Sequence, residues 1–126
     1  MAFEWKDFIT VAESLTVDTQ KEEFLRSAVG RSYYALFGHA LEFAKKKFQY
    51  TVEIGHSGSV HKSLRNCYQK RGRKFADVYY ALSELHEWRS ECDYNLVLEC
   101  DPNSLLMMAK NSISKAQKMI HKLNSD

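Results

Sequence analysis

The chain is predicted to fold as an all-α, antiparallel bundle of about five helices. Three observations predict this. Apolar residues recur at three-and-four spacing along most of the length, turn-forming residues are confined to a few junctions, and capping residues stand where the apolar stripes begin. Pro102 is the sole proline, and outside Gly30 and Gly38 the glycines fall at Gly55, Gly58 and Gly72.

A first helix is expected over roughly Phe3 to Leu15, where Trp5, Phe8, Ile9, Ala12 and Leu15 share one face. Thr19 with Glu22 forms a capping-box pattern that opens a second helix reaching about Lys47. Two adjacent apolar stripes on that helix, one through Leu25, Val29 and Leu36 and one through Tyr33, Phe37 and Leu41, mark it as the central element. Gln49 to Gly58 is read as a loop, although Tyr50 to Ile54 alternates as a short strand would. A third helix spans about Ser59 to Gln69 and stops near Gly72. A fourth begins around Arg73 and carries Val78, Leu82, Leu85 and Arg89 on one face. Asp101 followed by Pro102 is a favoured helix start, and it opens a fifth helix whose apolar set is Leu105, Leu106, Met108/Ala109, Ile113, Ala116, Ile120 and Leu123.

With 126 residues, the chain suits one domain, 1–126, with a core of its own. Its 27% charged and 44% hydrophobic residues are those of a globular protein rather than a disordered one. No apolar run has the length of a membrane span and the start lacks a signal-peptide pattern, so a cytoplasmic protein is expected. Three cysteines, Cys67, Cys92 and Cys100, without a C-x-x-C pair argue against a disulfide framework or a zinc site. No cofactor is expected.

A net charge of +2 conceals segregation of sign. Between Ala44 and Lys74 stand nine Lys/Arg against one acid, Glu53. Between Phe75 and Ala109 stand seven acids and one base, Arg89. The basic block supplies RNA-binding candidates: Lys62, Arg65, Lys70, Arg71, Arg73 and Lys74, interleaved with Tyr50, Tyr68 and Phe75. Such residues neutralise phosphates and stack bases. A solvated helix face reads the same way.

On the fourth helix, His86, Arg89 and Asp93 lie on one stripe that continues the inward line of Leu82 and Leu85. An inward guanidinium needs a partner, and Asp93 or Glu91 is the nearest one. Arg89 is therefore either a structural ion-pair partner or the cation of a site. Arg31, Tyr33 and Tyr34 on the second helix are the facing candidates, because tyrosines in a core helix need partners for their hydroxyls.

Arg31-Ser32-Tyr33-Tyr34-Ala35-Leu36-Phe37, followed some fifty residues later by Leu85, Arg89, Asp93 and Tyr94, resembles the HEPN domain family. The resemblance spans nearly the whole chain. It implies a helical bundle that dimerises around a cleft with Arg89 at its floor, of toxin–antitoxin or defence type, often paired with a minimal nucleotidyltransferase. It also implies metal-independent endoribonuclease chemistry, in which a ribose 2′-hydroxyl attacks the adjacent phosphate. Arg89 would then stabilise phosphoryl charge, Asp93 and Tyr94 would orient the phosphate or bind the ribose, and His86 would be the acid/base. The chain departs from the family's Arg, four to six residues, then His pattern, since Tyr94, Asn95 and Leu96 occupy the histidine positions. It follows instead a branch with Arg-x-x-x-Asp-Tyr. His61 and His56 are further histidines near the basic block. The alternative function is a non-catalytic module that binds nucleotide or RNA, or scaffolds a nucleotidyltransferase partner.

Overall fold

The computed structural model describes residues 2–17, 21–51 and 59–126. Five α-helices run in order: α1 (Asp7–Ser14), α2 (Glu22–Lys47), α3 (Val60–Gln69), α4 (Ala76–Tyr94) and α5 (Pro102–Ser125), with one 3₁₀ turn over Arg73–Phe75 before α4. Among the described residues all regular structure is helical, and no helix is long and apolar enough to cross a membrane. Thr19, His56 and most of the segment read as a loop or short strand lie outside the described residues.

Helix α2 is the spine, packed on α5, α4 and α1. Its buried line of Leu25, Ala28, Val29, Ser32, Leu36 and Ala40 mixes large side chains with small ones, so three neighbours can approach it closely. Ser32 stays satisfied inside because its hydroxyl donates to the Ala28 carbonyl at 2.9 Å. The fully enclosed aliphatic residues Leu64, Val78, Leu82, Leu85 and Leu123 bring α3, α4 and α5 into the same core.

Helix ends fall where side chains can close them. Ser59 accepts the Lys62 amide at 3.2 Å and starts α3. Asp101 accepts the Ser104 amide at 2.7 Å, with Pro102 in the first turn, and that bonding holds the Asp101 carboxyl below its ordinary pKa. Gly72 takes φ +81° between α3 and the 3₁₀ turn, a conformation that side chains resist.

The first helix is shorter than the apolar spacing suggests. Trp5 precedes it and lays its indole over the bare backbone of Gly38 while donating to Glu42 Oε1 at 3.2 Å. A Cβ at Gly38 would stand 1.9 Å from the indole Cδ2, so the ring must leave if one is added. Gly38→Ala is therefore expected to lower stability by about 1–3 kcal/mol through overpacking. That loss outweighs the gain of about 1 kcal/mol in helix propensity. Urea denaturation checks it, and an unchanged midpoint would contradict the packing argument.

Candidate functional site

Arg89, the lone base of the acidic block, organises the site. Helix α4 sets His86 one turn before Arg89 and Asp93 one turn after it. Arg89 Nη2 donates to the Tyr34 hydroxyl at 2.8 Å across the α2–α4 interface. Arg89 Nε lies 2.9 Å from Asp93 Oδ2, but its N–H is not aimed at that oxygen and Nε makes no hydrogen bond among the described residues. The pair is thus a charge contact rather than a fork. The Tyr34 and Tyr94 rings flank the guanidinium at 5.2 and 5.6 Å. Enclosed in this way, the Arg89 side chain is 12% exposed and the Asp93 side chain 39%.

Beside it lies an aromatic and histidine cluster joining α2, α3 and α4. The fully buried Tyr33 hydroxyl is 2.5 Å from His61 Nδ1. His61 packs on Phe37 at 4.7 Å and on His86 at 5.1 Å, and Tyr33 meets the His86 ring at 5.5 Å. Arg65, one turn after His61 on α3, turns inward to the same place, and its buried Nη1 has no hydrogen-bond partner among the described residues. Burial, then His86, Arg89 and Arg65, push the His61 pKa from 6.5 down to about 4. Burial with Arg65 and Arg89 lowers that of His86. Burial raises that of the Tyr33 phenol. Both imidazoles are therefore neutral at pH 7, in a field that favours an incoming anion.

The structure thus brings together Arg89, His86, Tyr33 and Tyr34, with Asp93 and Tyr94 at the rim. Arg31 is placed elsewhere: its guanidinium stacks on Phe8 of α1 at 5.1 Å. Of the basic block, only Arg65 reaches the cluster. Lys62, Lys70, Arg71, Arg73 and Lys74 are exposed on α3 and the turn after it. Arg71 covers the Phe48 ring at 4.2 Å, and Lys74 lies 3.5 Å from the Asp126 carboxylate. Among the described residues no group of three or more His, Cys, Asp or Glu stands close enough to hold a metal ion.

Sequence reasoning missed Arg26. Its Nη1 donates to the Cys92 carbonyl at 2.8 Å and the Asn95 carbonyl at 2.6 Å, and its Nη2 reaches the Leu96 carbonyl at 3.4 Å. These are the oxygens left over where α4 ends, so a side chain of α2 closes the turn that carries Asp93 and Tyr94. The only sequence signal is Glu22 four residues earlier, now 3.2 Å away, which reads as an ordinary helix-surface pair.

Comparisons with known proteins add one relative. No family model matches the chain, and no solved structure does. The chain is similar to the uncharacterized protein MJ0628 of Methanocaldococcus jannaschii, with 36% identity over 104 residues, covering 71% of this chain and 62% of the archaeal protein. It therefore spans less than two thirds of the length of that relative.

Proposed function

We propose that this chain is a HEPN-like domain of toxin–antitoxin or defence type that acts on RNA as a metal-independent endoribonuclease, with two copies meeting at a cleft floored by Arg89. The observation that carries the reading is the convergence of Arg65 and Arg89 with two neutral histidines, His61 and His86, at one half-buried place, with Asp93 the one carboxylate in contact among the described residues. Guanidinium groups suit the charge that builds on phosphoryl oxygens. A neutral imidazole can take the proton of the ribose 2′-hydroxyl as its oxygen bonds to phosphorus. The 5′-oxygen then leaves with a proton, and a 2′,3′-cyclic phosphate remains.

Purified protein incubated with single-stranded RNA in EDTA is expected to give fragments with 2′,3′-cyclic phosphate and 5′-hydroxyl ends. Intact RNA after prolonged incubation would sink the nuclease reading for that substrate.

A second reading is favoured by the enclosure of Arg89, which is already engaged by Tyr34 and Asp93. On that reading the cluster holds a nucleotide or RNA phosphate without cutting, or the domain supports a nucleotidyltransferase-type partner. Salt-sensitive RNA binding without fragments distinguishes it.

A further inference from the structure

We propose that Tyr33 is a positioning residue that locks His61 in the neutral Nε2–H tautomer, so that His61 serves as a hydrogen-bond donor to a phosphoryl oxygen beside Arg65 and Arg89, leaving His86 as the imidazole that can accept a proton. The ligand in this inference rests on the phosphate reading above. The tautomer rests on the geometry alone.

Tyr33 has no exposed surface, so its O–H must find an acceptor inside the protein. The groups acting on it are Arg65, Arg89 and Tyr34. Arginines offer no acceptor, and Tyr34 is itself receiving the Arg89 N–H at 2.8 Å. His61 Nδ1, at 2.5 Å, is the acceptor that remains among the described residues. A protonated Nδ1 would leave the phenol O–H unsatisfied in the core, a cost larger than the small intrinsic difference between the two tautomers. Tyr33 keeps its proton, because burial opposes phenolate. Once Nδ1 accepts, the single proton of the neutral ring sits on Nε2.

A ring held this way can no longer act as a base through Nδ1, but it adds a fixed N–H to the two guanidinium groups. The charged and titratable groups around it are Tyr33 and Tyr34 from α2, Arg65 from its own helix, and His86 and Arg89 from α4, with Asp93 behind Arg89. An anion among them offsets the field of Arg65 and Arg89, which adds to burial in keeping both histidines neutral.

The test uses the whole chain labelled with ¹⁵N, long-range imidazole spectra at pH 7 and inorganic phosphate as the probe, without RNA. His61 is assigned through its loss in His61→Gln. The expected pattern is Nε2–H for His61 in the wild type, and a mixture of tautomers in Tyr33→Phe. Phosphate is expected to move the His61 and His86 signals while His39 and His121 stay fixed. In Tyr33→Phe its apparent Kd is expected to be about five- to tenfold weaker, the loss of roughly one oriented hydrogen bond. An Nδ1–H pattern in the wild type overturns the lock, and so does an unchanged tautomer in a folded Tyr33→Phe. If Tyr33→Phe does not fold, the wild-type pattern alone decides the lock. Phosphate that moves neither ring overturns the donor role. A protein that shows the pattern and the phosphate response yet leaves RNA intact keeps this inference and loses the nuclease.

Discussion

Arg89→Lys is expected to slow RNA cleavage by about 10²–10³-fold, the loss typical of removing one oriented donor from a developing oxyanion. The folded state should change little by comparison. The guanidinium does three things at once: Nη2 holds Tyr34, Nε lies against Asp93, and no hydrogen bond among the described residues occupies Nη1. An ammonium keeps the charge for Asp93 but has no rigid fork with which to hold Tyr34 and still present a donor to phosphate. Arg89→Ala should abolish cleavage as well, but it leaves Tyr34 and Asp93 without their partner, so the lysine variant is the cleaner measurement. Single-turnover cleavage with RNA ends resolved on a gel checks it. A lysine variant that cuts at the wild-type rate removes Arg89 from the chemistry.

The second large effect concerns stability. Arg26→Ala is expected to reduce the free energy of unfolding by about 2–4 kcal/mol, because hydrogen bonds to charged donors each contribute about 1.5–3 kcal/mol and part of that is recovered by water at the open end. A fall in Tm on the order of 10 °C should accompany it. The carbonyls of Cys92, Asn95 and Leu96 converge on this one side chain, and alanine leaves all of them to solvent. Lysine cannot replace it, since one ammonium cannot span those oxygens and Glu22 as well. Arg31→Ala is the matched control. It loses a stacking contact on Phe8 and should change stability by less than about 1 kcal/mol. Arg26 and Arg31 variants with equal midpoints would show that the α4 terminus does not depend on its cap.

The contrast between Arg26 and Asp101 shows what was legible in advance. Asp101 caps the amide of Ser104, three residues away, so its partner is written beside it. The start of α5 was readable for the same reason, and α3 and the end of α2 through helical period, whereas α2 begins after Lys21 with no side-chain cap. The α4 stripe of His86, Arg89 and Asp93 was too, because i and i+4 positions meet on any helix. Arg26 binds carbonyls some seventy residues distant, and a carbonyl has no signature in a sequence. His61 was underrated because its partner, Tyr33, lies on another helix. Arg65 looked like the lysines around it, and only the packing of α3 turns it away from them. Trp5 misled in the opposite direction. Its apolar character fitted the helical period, but it is spent on a tertiary contact with Gly38 ahead of the helix.

That contact bears on how the molecule opens. Helix α1 fully buries Ile9 and Ala12 and packs a half-buried Phe8 on the core, and the Trp5 indole just before it covers Gly38. A segment held by so little comes away at a free energy below that of the whole protein. Separation of α1 alone would bare the Gly38 face of α2 and leave the Tyr33–His61–Arg89 cluster, built from α2, α3 and α4, intact.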